Sequence, residues 1–164
     1  MRRVAVGLGA NLGDRRATLA GAVRTNAGWA DLVAVSSLYE TAPVGGPDQG
    51  PYLNAVAVID TGRSVADLLD RALGLEASFG RERRERWGPR VLDLDVLLAG
   101  DTVIDRPGLR VPHPRMADRR FVLEPLVEAW PRATLPDGTR LVSLLPAVAD
   151  QEVERIAPPG WWRP

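Results

Sequence analysis

Asp93 and Asp95 stand two residues apart in the run Leu92-Asp93-Leu94-Asp95-Val96-Leu97. Alternate side chains of an extended strand share a face, so both carboxylates point one way while Leu92, Leu94 and Val96 point into a core. Carboxylates that close repel each other unless their face is solvated or a cation lies between them. Magnesium suits the second case, because it takes few protein carboxylates and completes its shell with water and substrate phosphates. A solvent-facing acidic strand would show the same pair, so the neighbouring residues carry weight. Arg81, Arg83, Arg84, Arg86 and Arg90 directly precede the strand. A triphosphate needs positive charge from metal on one side and guanidinium groups on the other, since charge spreads over its oxygens during transfer. Glu82 and Glu85 interleave, as in a solvated loop, whereas Trp87-Gly88-Pro89 favours a loop of definite shape that could act as a lid.

Tyr52 and Asn54 form a second pair on one strand face. A ring beside a side-chain amide can stack on a flat heterocycle and read its edge at once. A half-buried strand position has the same residues, and Phe121 is equally compatible with a helix core. His113, the chain's one histidine, lies between Pro112 and Pro114, in a loop that follows the acidic hairpin and could reach the phosphates.

The chain has 164 residues, 45% of them apolar, enough for one domain with an ordinary core. It has no cysteine, which excludes disulfides and thiol chemistry. Its net charge is zero, which argues against a general nucleic-acid binder. All 21 basic residues are arginine, so a single Arg means little and only clusters count. The amino-terminal Met1-Arg2-Arg3 and its apolar run superficially resemble a secretory signal, but the run alternates like a strand and stops at Asn11 and Asp14. No stretch reaches the length of a membrane span, and a soluble cytoplasmic protein is expected.

The elements that must position these side chains follow from periodicity. Val4, Val6 and Leu8 predict a strand, and Asp14 predicts a cap for a helix that turns Leu19, Val23 and Ala27 inward. Leu32 to Tyr39 reads as one strand, Thr41 to Pro51 as a loop rich in glycine and proline, and Tyr52 to Ile59 as a further strand. Ser64 with Asp67 opens a helix whose stripe is Val65, Leu68, Leu69, Ala72 and Phe79, with Gly80 to end it. Val91 to Leu98 is strongly apolar and extended; Gly100-Asp101 predicts a tight hairpin into Thr102 to Ile104. Leu109 to Val111 is extended, Met116 to Trp130 is helical with Pro125 as an interruption, and a short strand near Ala133 and a helix near Leu141 to Val148 follow. The order β-α-β-β-α-β predicts an α+β, ferredoxin-like antiparallel sheet with helices on one face.

Together these residues resemble the 6-hydroxymethyl-7,8-dihydropterin pyrophosphokinase family of folate biosynthesis. Arg86-Trp87-Gly88-Pro89-Arg90-Val91-Leu92-Asp93-Leu94-Asp95-Val96-Leu97 is similar to the family signature throughout. Five further segments follow in family order: Gly7 to Gly13, Ser36 to Pro43, Tyr52 to Ala55, Val111 to Pro114 and Arg119 to Leu126. The resemblance implies transfer of diphosphate from ATP to the pterin hydroxymethyl group, with release of AMP. It implies that Asp93 and Asp95 hold two magnesium ions and act in catalysis with Arg81 and Arg90. Tyr52 and Phe121 would sandwich the pterin, Asn54 would read its edge, Thr41, Pro43 and Val44 would line its pocket, and Trp87 would close over it. Glu76, Arg83, Arg90, Val96, His113 and Arg119 would serve ATP. Pro114 departs from the aromatic often found there, and the arginine loop is a residue shorter than in some relatives. The tail from Val153 to Pro164 matches no part of the pattern; surface packing, self-association and disorder are the alternatives, and its two tryptophans favour packing.

The expected protein is a single pyrophosphokinase domain over residues 1–164, a monomer whose partners are small molecules, not nucleic acid or membrane. Two rivals use the same residues otherwise. A nucleotidyltransferase also pairs aspartates with magnesium but attacks the α-phosphorus, and it leaves Tyr52, Asn54, Thr41 and Pro43 unexplained. An RNA-binding module would expose aromatics on its sheet, where zero net charge and two carboxylates count against it.

Overall fold

The computed structural model describes residues 1–42, 50–80 and 91–164. Strand β1 (Arg2–Ala10) alternates as its sequence dictates, sending Val4, Val6, Leu8 and Ala10 to one face. Asp14 then caps helix α1 (Arg15–Asn26), its carboxylate accepting the Ala17 N–H at 3.1 Å. Leu19 and Val23 are buried as expected, but the helix ends before Ala27, which is exposed, and Asn26 takes the buried place.

The expected single strand from Leu32 to Tyr39 is two strands, β2 (Asp31–Val35) and β3 (Leu38–Thr41). Ser36 and Ser37 separate them because their hydroxyls bond elsewhere. Ser36 Oγ donates to the Ser37 carbonyl at 2.8 Å and accepts the Val56 N–H at 2.9 Å. Both strands lie along β4 (Tyr52–Thr61), β2 against its second half and β3 against its first. Helix α2 (Val65–Ser78) starts at the Ser64 cap, whose hydroxyl accepts the Asp67 N–H, and stops before Gly80 at φ +79°.

Strand β5 (Asp93–Ala99) completes the central sheet, pairing antiparallel with β1. The order is β5-β1-β4-β3, in keeping with the ferredoxin-like antiparallel sheet expected from the chain. One further strand, β8 (Glu154–Ala157), extends it by pairing with β3. Gly100 turns the chain, but the segment after it does not return along β5. Instead β6 (Ile104–Arg106) pairs with β7 (Leu109–Val111) in a separate ribbon, a correction to the expected hairpin.

After a 3-10 turn at Met116–Asp118, helix α3 spans Arg120–Ala129 and contains Pro125. The helical pattern breaks at the extended Arg119, not at the proline as expected. Leu141–Val148 is a 3-10 helix that contains Pro146.

The sheet has helices on both faces, where one was expected. One face packs Leu8, Leu53, Ala55 and Leu94 against Leu19 and Val23 of α1 and Ala72 of α2. The other packs Ala5, Val56, Val58 and Leu97 against Leu123 and Leu126 of α3 and Leu141 beyond it. Alternation along β4 therefore yields two cores and no solvated face over this stretch.

Candidate functional site

The second face is not filled along its whole length. Beyond Leu97 and Val56 it opens into a cleft of ≈ 150 Å³ over β1, β4 and β5, closed on one side by the start of α3. Its floor is made by residues too small to fill it. Gly7 and Gly9 of β1 share the face of Asp93, Asp95, Tyr52 and Asn54. A methyl group on Gly9 would come 3.3 Å from Asn54 Oδ1 and 3.8 Å from Tyr52 Cδ1. One on Gly7 would meet Leu97 Cδ1 at 3.2 Å. The missing side chains leave a flat slot between the Tyr52–Asn54 pair and the acidic pair.

Asp93 and Asp95 both face this slot, since the strand's two-residue repeat gives them one side. Register places Asp93 beside Gly9 and Asp95 beside Gly7 across the ladder, so on the β1 side glycines flank them. Asn54 is buried, and its Nδ2 donates to Thr41 Oγ1 at 2.9 Å. That bond fixes the amide plane and leaves Oδ1 over Gly9 as an acceptor.

Opposite the floor, Phe121 and Val122 of α3 line the cleft with Arg119 and His113. The Arg119 guanidinium lies 5.6 Å from the centre of the Phe121 ring, within cation–π range. His113 is held by its backbone N–H, which donates to the Leu97 carbonyl at 2.8 Å. Its Nδ1 accepts the Arg115 N–H at 3.2 Å, so the neutral ring carries its proton on Nε2. Burial lowers the imidazole pKa below its ordinary value and Arg119 lowers it further, against a raising effect from Asp93. The ring is therefore a neutral donor at pH 7. Burial also lowers the Arg119 pKa, with Arg115 adding to the effect and Asp95 and Asp93 opposing it.

A second groove meets the cleft at Asp95 and His113 and runs past Leu69, Leu94, Val96, Leu109 and Arg110. It follows the outer edge of β5. Glu76, buried on α2, accepts the outward Leu94 N–H there at 3.3 Å. The two-residue alternation turns the Val96 N–H to the same edge.

Sequence-predicted Thr41, Tyr52, Asn54, Asp93, Asp95, His113, Arg119 and Phe121 are thus brought to one cleft, and Val96 to the adjoining groove. Glu76 lies behind β5, outside both linings. Pro43, Val44, Arg81, Arg83, Trp87 and Arg90 lie outside the described residues. The sequence reading gave no role to Gly7 and Gly9. Their signal was available: with Val4, Val6 and Leu8 inward, the intervening glycines must fall on the face shared with the aspartates.

Residues 5–131 match the model of the family described as 7,8-dihydro-6-hydroxymethylpterin-pyrophosphokinase (HPPK). The chain belongs to the HPPK family. An HPPK relative, the 2-amino-4-hydroxy-6-hydroxymethyldihydropteridine pyrophosphokinase of Pseudomonas aeruginosa, is 44% identical over 158 residues, covering 95% of this chain and 98% of that one. The enzyme of the same description from Bacillus subtilis is 45% identical over 125 residues, 75% of each chain. The HPPK-DHPS crystal structure from Plasmodium falciparum with pteroate is similar in fold, with a TM-score of 0.70 at 12% identity. It covers 89% of this chain, which spans 44% of that longer protein. At that identity the likeness bears on fold alone.

Proposed function

We propose that this HPPK-family chain transfers the terminal diphosphate of ATP to the hydroxymethyl group of a reduced pterin, forming the pterin diphosphate and AMP. Family membership carries the reaction class. The observation that carries the site is the glycine-floored slot with Asp93 and Asp95 on one side and Tyr52, Asn54 and Phe121 around the other.

The slot suits a flat bicyclic ring. Tyr52 and Phe121 offer aromatic surface, and Asn54 Oδ1 accepts from a ring N–H while Thr41 holds the amide in place. Pro43, Val44 and Trp87 would complete the pocket. The nucleotide would occupy the second groove, with its heterocycle along the β5 edge at Val96 and its phosphates toward His113 and Arg119. Arg81, Arg83 and Arg90 would add cationic charge around the phosphates. Glu76 would support this arrangement from behind, by holding the Leu94 backbone and so the strand that bears both aspartates.

Among the described residues no group of three or more His, Cys, Asp or Glu side chains could hold a metal ion. Two carboxylates alone fit magnesium, which takes one or two and fills its shell from water and phosphate. Asp93 and Asp95 would hold it. When bound, magnesium neutralises the triphosphate and orients it for in-line displacement.

The chain's own residues then position the pterin and stabilise the phosphates. Tyr52, Asn54 and Phe121 fix the pterin so that its hydroxyl oxygen approaches the β-phosphorus in line with the oxygen that bridges to the α-phosphorus. The new O–P bond forms as that bridging bond breaks, and AMP departs. Arg119 and the Nε2–H of His113 stabilise charge on the phosphate oxygens. The hydroxyl proton leaves to water or to a carboxylate; His113, already protonated at Nε2 with Nδ1 engaged, does not take it.

Product analysis after incubation with ATP, magnesium and the reduced pterin alcohol tests this reading. AMP and pterin diphosphate are expected in equal amounts. Release of inorganic diphosphate with an adenylylated pterin would instead indicate attack at the α-phosphorus, and ADP would indicate attack at the γ-phosphorus.

A further inference from the structure

Away from the cleft, one carboxylate gathers an unusual number of donors. Glu128 lies near the end of α3 and reaches down to the start of β3. Its Oε1 accepts the Ser37 backbone N–H at 2.7 Å and the Tyr39 hydroxyl at 2.9 Å. Its Oε2 accepts the Ser37 hydroxyl at 2.6 Å. Ser37 Oγ in turn accepts from Arg155 Nε at 2.7 Å, so β8 brings a guanidinium to the same cluster. Hydrogen bonds to an ionised carboxylate are short and roughly twice as strong as neutral ones. Nothing in the proposed chemistry uses these groups.

Their position in the fold gives them a consequence. Ser37 and Tyr39 bracket the entry to β3, the strand that carries Thr41 to the cleft. Phe121, seven residues before Glu128 on α3, lines the cleft's opposite wall. Helix and strand thus run in opposite senses, clamped at one end and bearing pocket residues at the other. Elsewhere α3 is held to the sheet by apolar packing of Leu123 and Leu126 on Val56 and Val58 of β4, which resists separation but is a weak guide to sliding. A three-donor carboxylate is directional and fixes the slide.

We propose that Glu128 is a positioning residue that sets the register of α3 along β3, and thereby the placement of Phe121 over the ring held by Asn54 and Tyr52. Arg155 of β8 belongs to the same device, orienting the Ser37 hydroxyl toward Glu128. This inference rests on the pterin site proposed above.

The test compares Glu128→Gln, Glu128→Asp and Arg155→Met with the parent chain under saturating ATP and magnesium. Gln keeps the shape but turns an amide N–H2 onto the Ser37 hydroxyl; Asp keeps the charge but shortens the reach. Both Glu128 variants are expected to raise KM for the pterin alcohol by about tenfold, with kcat and KM for ATP within about twofold, because pterin placement is disturbed before the chemistry. Arg155→Met is expected to show the same pattern more weakly, by about threefold. Circular dichroism and the melting temperature of each variant separate misfolding from misplacement. An unchanged pterin KM in a folded Glu128→Gln chain would overturn the inference. So would proportional losses in kcat with both KM values constant, which signal a smaller folded fraction. A parent chain that makes no AMP would bring down the functional reading and this inference together, whereas an active parent with an insensitive variant would bring down this inference alone.

Discussion

Gly9 is a residue whose contribution is the space it leaves. A methyl there would stand 3.3 Å from Asn54 Oδ1, and Asn54 is not free to retreat because Thr41 holds its amide. Gly9→Ala is expected to weaken pterin binding by about tenfold, roughly 1.4 kcal/mol, while unfolding in urea shifts little, since β1 keeps its pairing. Calorimetric titration with the pterin alcohol checks it; unchanged affinity would show that the floor is not where the ring lies. His113 offers a second test, made clean by its being the one histidine in the chain. Burial and the Arg119 charge both disfavour the imidazolium, so its NMR titration midpoint is expected below 6.5. Arg119→Gln removes one lowering cause, leaving burial and Arg115, and should move the midpoint upward. A parent midpoint at or above 6.5 would contradict the buried, cation-flanked setting given to the ring.

At the scale of elements, what was legible in the sequence was what strand and helix periods determine. The shared face of Asp93 and Asp95, the Tyr52–Asn54 pair, the Asp14 and Ser64 caps and the end of α2 at Gly80 all follow from local spacing. Glu76 was expected only beside the nucleotide and its burial was not read, although it continues the stripe of Val65, Leu68 and Ala72 at helical spacing; its bond to β5 explains why a carboxylate is tolerated there. The break at Ser36 and Ser37 was not legible, because alternation across them is intact and only hydroxyl-to-backbone bonds break the strand. Glu128 was invisible for a similar reason: its partners are about ninety residues away in the chain. Those partners predict a pH effect. Burial raises the Tyr39 pKa, and its bond to Glu128 raises it further. The folded phenol stays protonated after the unfolded one has begun to ionise at about pH 10. The stability this supplies is complete below that pH and is lost as pH rises past it. Denaturation at pH 8 and pH 11 should therefore show an alkaline loss that is smaller in Tyr39→Phe; equal losses would contradict the assignment.

At the scale of the whole molecule, the carboxy-terminal residues are part of the sheet and core. β8 pairs with β3 through Ala157 and Arg155, and Trp161 is 6% exposed, with its Nε1–H donating to the Ser36 carbonyl at 2.9 Å. Arg24 of α1 donates to the Trp162 carbonyl at 2.8 Å, tying the segment to the helix it packs beside. The spacing of Val153 to Pro164 could not announce this, because a four-residue strand draws its stability from its neighbour. Trp161→Ala should cost about 3–5 kcal/mol in urea unfolding, the usual range for emptying a buried tryptophan site. A loss below about 1 kcal/mol would show that the segment rests on the surface. Among the described residues no helix is long and apolar enough to cross a membrane.

All these scales converge on two carboxylates that face a glycine floor beside a ring-sized slot. The most direct measurement is turnover of Asp95→Ala with saturating ATP, magnesium and the reduced pterin alcohol, alongside calorimetric binding of the pterin to the same variant. Turnover is expected to fall by at least about a thousandfold, roughly 4 kcal/mol of lost transition-state stabilisation, while pterin affinity stays within about threefold because the slot itself is intact. Turnover within about tenfold of the parent chain would contradict the central role given to the acidic pair.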